Sequence, residues 1–460
     1  MSGIMRGITR GVSRGLRRLN RLRSWILLAA AAAVVVLAPQ AIAQDRLPTE
    51  RFVGSLELVY RFERNMPTGV AVSQGRRVFV NFPRWGDIVP YTVAEIRGDD
   101  LVPFPNAALN EPAPEAPERT LLSVQSVVVD PLDRLWLLDT GSIEFQPTSP
   151  GGPKLICVDL TTNEILQTIV FPPEVALPTT YLNDVRFDLR RGRAGLAFVT
   201  DSSLSGPNAI IVVDLATGRS WRRLNDHPST KAIPDFLAFV EAQPFQNRSP
   251  EGETSSVSIG ADGIAISADG ERLFYSPLSS RRLYGVSIDA LADESLSADD
   301  VAATVEDLGP KGVADGLESD TQNRIYITDL EHNAIRRRSP DGTFETLVHD
   351  PRVLWPDTLE LATDGYLYFT VNQLHRQAGF NGGADLREFP FSLLRLRVDA
   401  EPVLLRPEAA PDSPAHEAPA PRAPTGNGSE IDDAAEEPPT TSEGFPSDVI
   451  VPIIDTTDRD

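Results

Sequence analysis

One cysteine in 460 residues excludes a disulfide scaffold. Cys157 can form no internal disulfide, and its setting in Leu155-Ile156-Cys157-Val158 predicts a buried strand residue. Positive charge is short as well: 43 Lys and Arg stand against 65 Asp and Glu, a net charge of −22. That balance argues against nucleic acid or an anionic membrane surface as a partner. No apolar run is long enough to span a bilayer. The run from Trp25 to Leu37 has 13 residues, where a spanning helix needs ~20. The familiar catalytic signatures are missing too. There is no Gly-x-Ser-x-Gly elbow, no His-Glu-x-x-His, no cysteine pair and no phosphate loop, and the five histidines are scattered. Helical periodicity is almost absent. At 41% hydrophobic, the chain is nonetheless too apolar and too long to be wholly disordered.

The two ends differ from the middle. Residues 1–43 carry seven Arg and no acid, then the apolar run, then Ala41-Ile42-Ala43 before Gln44. This is the layout of a secretory signal peptide, with an uncleaved N-terminal anchor as the competing reading. The expected location is secreted or periplasmic, with no stable membrane span once the signal is removed. From Pro407 to Asp460 the chain holds ten Pro, 13 acidic and two basic residues. Such a composition predicts a disordered acidic tail, in which only Val449-Ile450-Val451-Pro452-Ile453-Ile454 is apolar enough to dock.

Between them, one unit recurs: a short apolar strand, a turn, a second apolar strand and a polar stop. Its copies start at Thr68, Gln125, Asn183, Asp262, Asp315 and Asp357, at intervals of 57, 58, 79, 53 and 42 residues. Turn chemistry joins the strands, as in Ala268-Asp269-Gly270 and Thr363-Asp364-Gly365. Six units of this length with four strands each predict an all-β fold, a six-bladed β-propeller over residues 44–406. Leu56–Phe62 and Leu393–Val398 both alternate, so these terminal strands are expected to share a blade and close the circle. The long third interval implies an insertion over 226–256, with a short helix at Asp235–Val240. Phe79, Trp136, Phe198, Phe274, Tyr326 and Tyr368 hold one position of the repeat and are assigned to the core between blades.

Antiparallel pairing puts the start of each first strand and the end of each second strand at one edge of the disc. The first set is Thr68, Gln125, Asn183, Asp262, Asp315 and Asp357. The second is Asn81, Asp139, Asp201, Ser276, Asp329 and Asn372. Carboxylates so concentrated should either raise one another's pKa or recruit a cation, Ca²⁺ or another divalent ion. Aspartates at these places also serve as ordinary turn and capping residues. From the first set, with Asn372, comes the candidate ligand-binding ring. Asp262, Asp315 and His375 are the candidate catalytic groups; His375 follows a second-strand end, and His332 is its equivalent in the preceding unit.

The stretches Val124–Asp130, Leu135–Gly141 (Trp-Leu-Leu-Asp-Thr-Gly within it), Tyr181–Val185, Ala197–Ser202 and Gly260–Ala265 resemble the major royal jelly protein/Yellow family, over roughly residues 50–400. The resemblance implies a secreted six-bladed propeller, in a family associated with melanin chemistry, with amine binding or with nutrition. The single cysteine departs from multi-cysteine insect members, so their disulfides cannot apply. A wider likeness to the gluconolactonase/senescence-marker type implies a divalent metal held by Glu, Asn and Asp. Here it would fall on Asn183 and Asp262, with Thr68 standing where that type uses Glu. Two functions follow as expectations. One is a small-molecule binder or isomerase with an acidic channel mouth that favours amines. The other is a metal-dependent lactonase or ester hydrolase using Asp262 or Asp315 as base.

Overall fold

The computed structural model describes residues 51–407; the expected signal at 1–43 and the tail from 408 onward lie outside the described residues. Strand β1 (Glu57–Phe62) comes first. It is followed by a sheet of β2 (Val70–Val72), β3 (Val78–Asn81), β4 (Val93–Arg97) and β5 (Asp100–Pro103). The second sheet is β6 (Val124–Val129), β7 (Arg134–Thr140), β8 (Pro153–Asp159) and β9 (Ile165–Val170). The third is β10 (Leu182–Asp188), β11 (Leu196–Asp201), β12 (Ala209–Asp214) and β13 (Ser220–Arg223). An inserted three-stranded sheet follows, made of β14 (Ala238–Val240), β15 (Gln243–Arg248) and β16 (Thr254–Ser256).

The fourth four-stranded sheet holds β17 (Ala261–Ile266), β18 (Arg272–Pro277), β19 (Arg282–Ser287) and β20 (Glu306–Pro310). The fifth holds β21 (Leu317–Ser319), β22 (Ile325–Asp329), β23 (Ala334–Arg338) and β24 (Phe344–His349). In the last sheet, β25 (Pro356–Leu361), β26 (Tyr366–Val371) and β27 (Phe391–Arg397) are joined by β1 as the outermost strand, in the order β1-β27-β26-β25. The terminal strands therefore do share a sheet, antiparallel, with Phe62 opposite Phe391. Every named pairing is antiparallel, and the architecture is that of an all-β propeller. Neighbouring innermost strands touch in the succession β2, β6, β10, β17, β21, β25, and β25 also touches β2.

The inner strands are covered on both faces, so β6, β10, β11 and β17 are buried along nearly their whole length, polar residues of β10 included. The repeated aromatics Phe79, Trp136, Phe198, Phe274, Tyr326 and Tyr368 are all buried, as their shared position requires. A turn aspartate serves the polar tip of three of them. The Trp136 indole N–H donates to Asp130, the Tyr326 hydroxyl to Asp320 and the Tyr368 hydroxyl to Asp364. Cys157 is buried in β8, and burial pushes its thiol up to about 12.

The insertion departs from expectation. In place of a helix at Asp235–Val240, residues Ala238–Val240 form strand β14 and pair with Gln243–Phe245. Glu241 and Ala242 between them both take positive φ, 50° and 60°, which is the geometry of a tight hairpin turn. The local apolar pattern is too short to tell strand from helix, and pairing across that turn decides it.

Candidate functional site

The innermost strands begin irregularly. The β6–β7 register shifts between Val124 and Ser126, β10–β11 between Leu182 and Val185, β17–β18 between Ala261 and Ile264, and β25–β26 between Pro356 and Leu359. Gln125, Asn183, Asp262 and Asp357 each sit inside one of these irregular starts. A bulge re-aims the side chain it contains. Threonine hydroxyls take over the missing ladder bonds. Thr200 Oγ1 accepts from Asp184 N and donates to the Asp262 carbonyl at 2.8 Å, and Thr328 Oγ1 accepts from Asp315 N at 3.0 Å. Two glycines permit the close approach of neighbouring strands. A methyl group at Gly263 would lie 2.3 Å from the Asp315 carbonyl oxygen, and one at Gly316 would lie 2.3 Å from that of Asp357. Neither glycine is in a turn, so the Asp-Gly pairs here mark strand starts.

These residues floor a cavity of about 350 Å³. Gln125, Asn183, Asp262, Asp315 and Asp357 of the expected ring all line it. Thr68 does not: it is buried beneath the floor, donating to the Gln125 carbonyl at 3.3 Å and accepting from Asn81 Nδ2 at 2.8 Å. Asn372 is buried outside the lining and donates to Asp357 Oδ2 at 2.7 Å, which fixes that carboxyl. His375 is not in this cavity; its ring stacks on Trp355, centroids 5.8 Å apart. Three of the second-strand ends are held in bonds that tie the fold together. Asp139 accepts from Leu122 N, Ser123 N and the fully buried Lys154 ammonium. Asp201 pairs with Arg222, and Asp329 with His332.

Burial pushes the floor carboxyls up. Asp262 stands well above the ordinary carboxylate range through loss of solvent, reinforced by Asp315 and Asp357. Asp357 is raised for the same reasons, and Asp315 is pushed up to about 6. The Trp355 indole N–H, 2.8 Å from Asp315 Oδ2, favours the charged form of Asp315. Asp262 and Asp315 lie close enough that the ionisation of one disfavours that of the other. Beneath them, Asp184 accepts from Ser126 Oγ and from Arg186. Lys311 is fully buried among these acids, and burial lowers its ammonium to about 7.

Aromatic side chains form the walls. Trp85 and Phe145 stack at 5.5 Å, Phe145 meets Tyr181 at 5.0 Å, and Trp355 and Phe380 complete the lining. The Tyr181 hydroxyl accepts from Trp85 Nε1 and donates to Gln125 Oε1, so wall and floor are one network. These walls come from connections between the repeated units, so they do not follow the repeat. A signal was present for two of them, since Tyr181 and Trp355 each stand two residues before a ring residue, Asn183 and Asp357.

The donor set does not fit the metal that the wider likeness implies. Asn183 and Asp262 line the cavity, but Thr68 is turned into the strand packing and Asp262 is tied to Asp315. Among the described residues, no group of three or more His, Cys, Asp or Glu side chains is placed to hold a metal ion.

Fold and cavity together define a β-propeller whose inner strands meet under an aromatic-walled, acid-floored pocket. Residues 122–403, more than half of the chain, match the family described as Major royal jelly protein. The chain belongs to that family. It is 28% identical over 255 residues to Protein yellow of Drosophila madeirensis, a match covering 51% of this chain and 41% of that protein. To Protein yellow of Drosophila melanogaster it is again 28% identical over 255 residues, covering 51% and 43%. The match thus spans less than half the length of these curated relatives. Among solved structures, a gluconolactonase from Xanthomonas campestris aligns with TM-score 0.44 at 12% identity, over 76% of this chain and 99% of that one. No helix among the described residues is long and apolar enough to cross a membrane.

Proposed function

We propose that this chain binds a small organic cation, a ring-bearing amine, in the cavity at the centre of six sheets arranged as a closed ring of blades. The observation that carries the reading is the stacking of aromatic walls over three buried carboxyls, Asp262, Asp315 and Asp357. An ammonium group set on that floor would supply the charge the carboxyls lack, and its ring would lie among Trp85, Phe145 and Tyr181. The cavity volume suits a ligand of one or two rings. Export to the periplasm or the exterior is part of the same reading and rests on residues 1–43.

The test is calorimetric titration with phenethylamine and with its uncharged counterpart, phenethyl alcohol. The amine should bind at least about tenfold more tightly, and Asp262→Asn or Asp357→Asn should remove most of that advantage. Equal affinity for amine and alcohol would overturn the reading. Isomerisation is a further step of the same proposal, supported by the nearness of Asp262 and Asp315, two buried carboxyls whose pKa values are both raised. That step requires solvent deuterium to enter a carbon position of the bound ligand. The alternative of metal-dependent ester hydrolysis draws no support from the donor set described above.

A further inference from the structure

The outermost strands of the four-stranded sheets are β1, β5, β9, β13, β20 and β24. An outermost strand leaves one row of backbone N–H and C=O groups without a ladder partner. Charge on such a strand discourages another chain from adding to the sheet. Five of them carry it: Glu57 on β1, Asp100 on β5, Arg222 on β13, Glu306 on β20 and Glu345 on β24. Strand β9, Ile-Leu-Gln-Thr-Ile-Val, holds neither a charge nor a proline. Among the described residues, no strand pairs with its outer edge.

The side chains of β9 divide by face. Gln167 Nε2 donates to the Leu215 carbonyl at 2.9 Å, and Ile169 is buried, 3.7 Å from where a methyl group on Gly218 would lie. The turn after β12 therefore covers one face. Leu166, Thr168 and Val170 belong to the other and are exposed, Leu166 at 54% and Val170 at 40%. The pairing with β8 is regular from Gln167 to Val170 and slips at Leu166, which has no counterpart there.

This exposed pattern reads the same from either end. If a second copy is turned about a two-fold axis through Thr168, the two threonines meet. Leu166 then faces Val170 of the second copy, and Val170 faces its Leu166. Glu164 comes opposite Pro172, so no carboxylate is set against another.

We propose that β9 is a self-association surface, on which two copies of this chain pair antiparallel to join two sheets into one of eight strands. Two strands of six residues make a small interface, so the dimer is weak, with a dissociation constant of roughly 10–500 µM. The net charge of −22 on each copy opposes it, and salt relieves that repulsion. No residue of the amine cavity takes part, so the dimer stands or falls independently of that reading.

The experiment is sedimentation velocity of the full chain from about 5 to 500 µM, at low and high salt. The mean mass should rise toward that of a dimer with concentration, and association should tighten about threefold or more at high salt. Thr168→Lys sets two ammonium groups together on the axis. It should weaken association at least about tenfold and leave the urea midpoint unchanged. Leu166→Lys should weaken it as well. Adding Val170→Glu to that variant should restore it, because each lysine then faces a glutamate of the other copy. Leu58→Lys, at an exposed position of β1, should have no effect. A monomer at every concentration would overturn the proposal and leave the edge to a chain of another sequence. A dimer indifferent to Thr168→Lys, or a Leu166→Lys variant that Val170→Glu does not rescue, would overturn it too. If Thr168→Lys fails to fold, Leu166→Lys and its rescue still decide the matter.

Discussion

A carboxyl buried among carboxyls is a pH sensor by construction. Asp262 and Asp357 have folded-state pKa values raised by burial and by each other's company, and Asp315 reaches about 6. The native state therefore holds protons that the unfolded chain has released. The stability these groups contribute is greatest below the unfolded carboxyl value near 4 and, for Asp315, falls as pH rises toward about 6. Asp315→Asn removes this dependence at one site. Relative to wild type, the variant should gain roughly 2–3 kcal/mol at pH 8 and nothing at pH 4, read from urea unfolding at the two pH values. Equal gains at both would place its effect in packing. An ammonium ligand prefers the ionised floor, so its affinity should rise from pH 5 to 8 with release of protons. Lys311, losing its charge near pH 7 beside Asp262 and Asp315, acts in the same direction.

At the scale of the strand, the site depends on how closely successive inner strands approach. Gly263 and Gly316 carry no side chain because a carbonyl of the next inner strand start occupies that place. Gly263→Ala and Gly316→Ala should each cost about 1–3 kcal/mol, whereas Gly379→Ala, with nothing within 4 Å, should change stability by less than ~0.5 kcal/mol. Chemical denaturation of the three variants checks this. If all three behave alike, the contacts at the inner strands are not limiting. The hairpin β14–β15 makes a different contribution. It is pinned by the Glu241 pairs to His375 and Arg376 and by Phe239 N donating to Glu331, and it brings Phe245 against Trp355.

For the whole molecule, the decisive element is β1, which leaves the neighbourhood of the first sheet to complete the last. Phe62 is buried with Phe391 and Phe82, and Glu57 pairs with Arg395 of β27. Deletion through Phe62 would strip β27 of its outer partner and open a sheet edge. The truncated chain should unfold at lower urea and aggregate with increasing concentration, which sedimentation at several loadings would record. A monomer of unchanged midpoint would mean that β1 contributes little to the assembly.

Much of this was legible in the sequence. Strand alternation, turn chemistry and a recurring unit dictated the all-β propeller, and the same repeat aligned Gln125, Asn183, Asp262, Asp315 and Asp357, because symmetry of fold follows from periodicity of pattern. The alternating ends Glu57–Phe62 and Phe391–Arg397 could be paired for the same reason. The repeat could not tell that Thr68 is consumed by the packing, that His375 lies behind Trp355, or that Ala238–Val240 is a strand. Those outcomes depend on contacts between segments far apart in the chain, through Gln125, the inserted hairpin and the Trp355 ring. The aromatic walls belong to the same category. They arise from connections that obey no repeat, so only the folded arrangement of the sheets could bring them over the carboxyls.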